Sequence, residues 1–281
     1  MNMYKTKKKT VCFLVAACLF LFSGDVFALH FRIDKGKVRM KLPAGWSDGG
    51  VIRVENMSGE SIDIRAYVGD WVYSDQDGSK NFLPASNYAK SCAEWIKFYP
   101  ADFTIPPHGI QEVNYVVAVP QGAAGGYYAV LFFEAQSGAA VDNSTGAAVK
   151  VYNRIASLFY IEPDGTVEAK AQLSDVNVVN SRDGFQIKAN FENTGNVDIA
   201  SKGVFDIIDE EGIVFTRGEF NEVYTLPQDK AKISAQSSGA GLTAGKYDLI
   251  LTFDLGTDIL VKEYSMEVSS SGAIVGIKEL Q

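Results

Sequence analysis

Residues 94–135 read EWIKFYPADFTIPPHGIQEVNYVVAVPQGAAGGYYAVLFFEA. Residues 95–99 are a short apolar run stopped by Pro100, and 103–105 lead into the tight turn Pro106-Pro107-His108-Gly109. Residues 113–119 are β-branched and end at Pro120, 121–126 are a small Gly- and Ala-rich loop, and 127–135 are almost continuously apolar. Proline fixes φ and cannot donate to a sheet ladder, so it bounds strands rather than occupying them. Apolar strands punctuated by Pro and Gly at this spacing predict the back half of an immunoglobulin-like β-sandwich.

Upstream, Lys5, Lys7, Lys8 and Lys9 precede an apolar run over 11–22, and Val26-Phe27-Ala28 offers small residues for cleavage. This is the pattern of a secretory signal peptide over 1–28, and the run is short for a transmembrane helix. Export through the secretory pathway is therefore expected. Val15-Ala16-Ala17-Cys18 also fits a loose lipidation box, which would bring the protein to a membrane through Cys18 and leave it lipid-anchored or at the cell surface. The apolar residues 19–22 beyond Cys18 favour cleavage instead. The formal charge is −8, and loss of four Lys and one Asp with the signal makes the mature chain more acidic. That balance argues against nucleic acid as a partner. Cys92 is the only cysteine after the signal, so no internal disulfide is possible, and a small buried packing role is expected for it. The fold must then rest on hydrophobic cores.

The first domain is assigned to 29–162. Val38, Met40 and Leu42 alternate with Arg39 and Lys41; residues 51–56 and the alternation Ile62, Ile64, Ala66, Val68 are further strands. Asp75-Gln76-Asp77-Gly78 resembles the start of a calcium loop. An EF-hand starting there needs Gly at 80 and Glu at 86, and the sequence has Lys80 and Ser86, so a β-turn is expected. Tyr88, Cys92 and Trp95 share a helical face, which predicts one or two helical turns before the strand at 95. Residues 137–146 read as an exposed hairpin loop, and Glu162-Pro163-Asp164-Gly165 as the turn that ends the domain. The second domain, 163–270, is read as another immunoglobulin-like sandwich, with strands over 167–173, 176–180, 185–193, 203–208, 213–216, 232–234, 246–255 and 260–268. Asp209-Glu210-Glu211-Gly212 reads as a solvated hairpin tip. Residues 271–281 read as a mobile tail. The fold class is all-β: two immunoglobulin-like β-sandwich domains after a cleaved signal peptide.

No residue pattern carries chemistry. His30 and His108 have no nucleophile beside them, and no metal-ligand spacing or phosphate-binding loop occurs. Residues 122–126 have the glycines of such a loop but open onto a strand, which offers no helix N-terminus. The chain is therefore read as a binding or assembly protein, not an enzyme, with no metal and no small-molecule cofactor.

The order of features resembles the periplasmic pilus-assembly chaperones (PapD-like). The residues that carry the resemblance are Gly36-Lys37-Val38-Arg39, Val54-Glu55-Asn56, Asp70-Trp71, Tyr99-Pro100 with Phe103, Gln111, and Arg154-Ile155 with Leu158-Phe159-Tyr160 and Pro163. The resemblance covers most of the first domain and the junction, and the second domain only in architecture. It implies donor-strand complementation: an alternating edge strand completes an unfinished secreted subunit, and two basic residues hold that subunit's C-terminal carboxylate. Carried over by position, the donor set is Ala147, Val149 and Val151, and Lys37 is the first anchor. Ala156-Ser157 stand where the family has its second, a lysine, and Arg154 is the nearest basic residue. The implied partner is a pilin-like or surface subunit. The alternative reading, a structural or adhesive cell-envelope protein, rests on that missing lysine and on the Asn193-Thr194-Gly195-Asn196 turn.

Overall fold

The computed structural model describes residues 30–141, 148–181, 183–238 and 241–280. The segment 1–28 with Cys18, and Ala147, lie outside the described residues. The first domain holds β1 (Phe31–Ile33), β2 (Lys37–Leu42), β3 (Ser47–Asn56), β4 (Ile62–Tyr73), β5 (Lys80–Pro84), β6 (Ile96–Tyr99), β7 (Asp102–Ile105), β8 (Ile110–Ala118), β9 (Tyr127–Val141) and β10 (Ala148–Pro163). The second holds β11 (Ala171–Ser181), β12 (Gly184–Asn193), β13 (Ile199–Ser201), β14 (Val204–Asp209), β15 (Val214–Glu219), β16 (Val223–Thr225), β17 (Lys230–Ser238), β18 (Gly245–Asp254), β19 (Ile259–Val268) and β20 (Ile274–Glu279).

Two sheets form the first domain, β1-β3-β8-β6 and β2-β10-β9-β4-β5, with β7 paired beside β5 on β4. The alternation that marks each strand in the sequence is the alternation of its burial. In β8, Val113, Tyr115 and Val117 face the core while Glu112, Asn114 and Val116 face water. Phe31, Ile52, Val54, Ile105, Leu131, Phe133, Phe159 and Ile161 fill the space between the sheets. Each buried side chain of this size is worth about 1.5–3 kcal/mol. The chain changes sheets between β1 and β2, because Asp34-Lys35-Gly36 carries it from the edge of one sheet to the edge of the other. There β2 pairs in parallel with the end of β10, from Lys37↔Leu158 to Leu42↔Pro163.

A buried carboxylate fixes the irregular segment before β6. Asp70 is fully buried. It accepts hydrogen bonds from the Asn87 N–H at 2.7 Å, the Tyr88 N–H at 2.9 Å and the Ser91 hydroxyl at 2.5 Å. The sequence reading of helical turns here corresponds to a single 3-10 turn, Ala93–Trp95, that packs Ala93 and the buried thiol of Cys92 into the core. Burial, and then the charge of Asp70, raise the Cys92 thiol well above its ordinary pKa, so this cysteine packs rather than reacts. Asp70→Ala would strand three donors. Urea unfolding is expected to show a loss of about 3 kcal/mol, and a change under 1 kcal/mol would remove Asp70 from this role.

Several sequence expectations are corrected by the sheets. Residues 137–141, read as part of a loop, continue β9, with Val141 opposite Ala148 and Ser137 bulged out between Gln136 and Gly138. Sequence alone missed this because Ser137-Gly138-Ala139-Ala140 lacks large side chains, while a strand pair needs only its backbone ladder. The runs 167–173 and 176–180 are one strand, β11, irregular between Ser174 and Asn177, and 167–170 precede it. Glu162 and Pro163 still belong to β10, so the turn after it is Asp164-Gly165. The expected tail is partly β20, laid antiparallel on β19. The Asp75–Gly78 segment is a turn as expected, and its carboxylates accept from the Gln76 and Ser79 N–H groups.

In the second domain the sheets are β11-β12-β17 and β15-β14-β18-β19-β20, with β13 and β16 as a short pair. Phe185, Phe191, Phe205, Phe220 and Phe253 meet between them in edge or tilted contacts.

Candidate functional site

The candidate site lies on β10, which has two different edges. Toward β9 it is paired from Ala148 to Ile161. On the other side, β2 covers only residues 158–163. Among the described residues no strand pairs with residues 148–157 on that side, so ten residues of backbone stand as an open edge. Leu158 donates its N–H to Gly36 O at 3.0 Å, toward β2. Strand alternation then aims the N–H groups of Ala156, Arg154 and Tyr152 at the open side.

Alternation also sorts the side chains. Phe159, Ser157 and Ile155 turn inward: Phe159 and Ser157 are buried, and Ile155 packs on the core. Leu158, Ala156, Arg154 and Tyr152 turn outward. Leu158 and Ala156 pack against Trp71, Tyr128, Val130, Phe132 and Tyr160. Val149 lies opposite Ala140 and Val151 opposite Gly138 on the open-edge stretch of β10, and Val151 is half-buried. The structure therefore sets Val149 and Val151 on the free edge, while Ala147 lies outside the described residues.

The open edge ends at a cleft of about 490 Å³ between the domains. Lys37, Arg39, Lys41 and Lys80 line it with Glu162, Asp198, Tyr73, Tyr160 and Tyr224. Alternation along β2 puts its three basic residues on this one face. Arg39 is the tie between the domains. Its guanidinium pairs with Glu162, and with Asp198 at 2.7 Å, and the two carboxylate side chains are only 6% and 5% exposed. Burial works against the Arg39 charge. The hydrogen bond to Asp198 and the charges of Asp198 and Glu162 outweigh it and hold the group above its ordinary pKa. Tyr128 braces Asp198 by accepting its N–H at 2.6 Å. Gly126 donates to Asn196 O at 2.7 Å, a close approach that a Cβ would block by striking the Tyr128 hydroxyl. Leu226 of the second domain enters the aromatic cluster of the first. On the far side, Gln76 accepts the Tyr224 N–H at 3.2 Å and, through its side chain, the Lys232 N–H at 2.6 Å.

Lys37 lies 4.3 Å above the Tyr160 ring. Burial, and then the neighbouring Arg39 charge, pull its ammonium below the ordinary pKa. Arg154 does not line this cleft. It lies four residues back along β10, about 13 Å at strand rise. There its guanidinium stacks 4.4 Å from Phe132 and 5.7 Å from Phe82, and it donates to the Tyr67 hydroxyl at 3.3 Å. Sequence reasoning did not reach Arg39, Glu162, Asp198 or Lys80 as site residues. The alternation of Lys37, Arg39 and Lys41 was the available signal for Arg39; Asp198 is 159 residues away from it and gives none.

No protein-family model matches the sequence, and no curated protein does. Among solved structures, the chain is similar to one in the chaperone–tip adhesin complex of CFA/I fimbriae biogenesis (14% identity, TM-score 0.46, 84% of this chain and 98% of that one). It is also similar to the YadV chaperone (9%, 0.44, 90% and 100%). A third is a chain of the CsuC–CsuE chaperone–tip adhesion subunit pre-assembly complex of Acinetobacter baumannii (11%, 0.42, 84% and 98%). The similarity to these pilus chaperone structures is one of fold.

Proposed function

We propose that this protein is a periplasmic chaperone-like protein that binds an unfinished, secreted β-rich subunit by pairing one of its strands with the open edge of β10. The observation that carries the reading is the open backbone at residues 148–157 running directly into a cationic cleft. A guest strand gains main-chain hydrogen bonds from such an edge and selectivity from alternate side chains, here beside Val151 and Ile155 on one face and Ala156 and Leu158 on the other. The guest's direction is set by the position of β2. Since β2 takes the edge from Leu158 onward, the guest must end beside Lys37. A guest parallel to β10 would end there with its C-terminal carboxylate, facing cations. An antiparallel guest would place its N-terminal ammonium against them, which is repulsive. Charge therefore selects the parallel guest with a free C-terminus.

The test is affinity recovery of the tagged mature protein from its native envelope, with mass spectrometry of the proteins that co-purify. A small secreted β-rich protein in stoichiometric amount is expected, and Val151→Asp should reduce its recovery at least tenfold without unfolding the chaperone. Recovery of the protein alone, or of a partner indifferent to Val151→Asp, would contradict the proposal and leave a structural envelope module.

A further inference from the structure

Position 156, the outward-facing site at the end of the open edge, is alanine, and Ser157 beside it turns its hydroxyl into the core, where it is buried without a partner. β10 thus supplies no cation to the cleft. Arg39 is bound to two carboxylates, and Lys41 leans on Glu162 at 3.7 Å. Four cations and two carboxylates line the cleft, which leaves an excess of positive charge in a chain whose net charge is −8. The cations left over are Lys37, from β2, and Lys80, from the start of β5.

These two lysines share one floor. Lys37 sits over Tyr160, and Lys80 lies 5.4 Å from the Tyr73 ring and 6.0 Å from the Trp71 ring. Tyr73 and Tyr160 both pack on Trp71, with ring centroids 5.2 and 5.1 Å from it, and both line the cleft. Lys80 is held on that floor by donating to Gly78 O at 2.6 Å. An ammonium has three donors, so it retains two. Lys80 is also near enough for its charge to contribute to the lowering of the Lys37 pKa. A carboxylate between the two would relieve that repulsion and gain charge-assisted hydrogen bonds from both.

Resting on the strand-binding reading, we infer that Lys80 is the second cation of the guest's carboxylate seat, so that the seat is built from β2 and β5 rather than from the guest-binding strand itself. Lys80 comes just after the Asp75–Gly78 turn, and Gln76 in that turn holds the second domain, so the seat is complete only while the domains are docked.

The test uses the full mature protein and a ten-residue alternating Val/Thr peptide, prepared with a free C-terminal carboxylate and as the C-terminal amide. Lys80→Met keeps an apolar stem near Trp71 and Tyr73 and removes the charge together with the hydrogen bond to Gly78 O. Wild type is expected to bind the free-carboxylate peptide at least tenfold more tightly than the amide. Lys80→Met should lose most of that preference while binding the amide as wild type does. If Lys80→Met keeps the full preference and Lys37→Met abolishes it, Lys80 is not the second cation and the strand-binding reading stands. If wild type binds neither peptide, or does not distinguish them, the carboxylate seat itself is overturned, and with neither bound the strand-binding reading falls with it.

Discussion

Arg39→Ala should lower the stability of the folded protein by about 3–5 kcal/mol and uncouple its two domains. The cost comes less from the lost guanidinium than from what it leaves behind. Glu162 and Asp198 are nearly inaccessible to water, and both would remain as carboxylates without their cation. Lys41 could compensate only in part, since it is exposed and 3.7 Å from Glu162. Asp198 would keep the hydrogen bond of its own N–H to Tyr128 and the long donation of the Tyr128 hydroxyl to its Oδ1 at 3.5 Å, but neither replaces a cation. Calorimetry is the check. A fall in melting temperature of about 10 °C is expected, with the two domains melting in separate steps. Arg39→Lys should recover only part of the loss, because one ammonium cannot reproduce the planar fork that reaches two carboxylates in different domains. A variant within 1 kcal/mol of wild type, melting in one step, would show that the aromatic cluster with Leu226 and the Gln76 contacts hold the domains unaided.

Ala156→Pro should abolish guest binding while leaving the fold intact. The Ala156 N–H points to the open side of β10, so proline there takes no hydrogen bond from the β9 ladder. It removes a donor that a guest strand needs and fills the approach with a ring. Ile155→Pro is the control on the neighbouring residue. Its N–H points the other way, to β9, where Ile155 pairs with Phe133, and its side chain packs on the core. That substitution should destabilise the protein by about 3 kcal/mol or more. Guest affinity is expected to fall at least tenfold in Ala156→Pro at nearly unchanged urea midpoint. Unchanged affinity would remove the open edge from the binding mechanism.

Most of the first domain was legible because its strands obey two local rules. Prolines and glycines bound them, as at Pro100, Pro106-Pro107 and Pro120, and burial alternates with period two, as in β8. Where side chains are small the signal fades, which is why Ser137-Gly138-Ala139-Ala140 passed for a loop. β20 was hidden because Ser269, Ser270, Ser271 and Gly272 mimic a mobile tail, and its strand is recognisable only through its pairing with β19. The site was legible in halves. Lys37, Val149, Val151 and Arg154 could be placed on particular strands from sequence, but the company each keeps is set by pairing across the chain. Arg154 is a basic residue at a plausible position, and only the outward stacking of β10 on β9 shows it committed to Phe132. Lys80 had no local mark at all, since its meaning depends on Tyr73 and Tyr160 both packing on Trp71 in the cleft.

The measurement that bears most directly on strand addition is amide hydrogen exchange of β10, with and without the free-carboxylate peptide. Tyr152, Arg154 and Ala156 should exchange readily in the free protein and become strongly protected in the complex, while Ile155 and Ser157, already turned to β9, change little. Binding without added protection at Tyr152, Arg154 and Ala156 would mean that the guest docks elsewhere, and the open edge of β10 would not be its site.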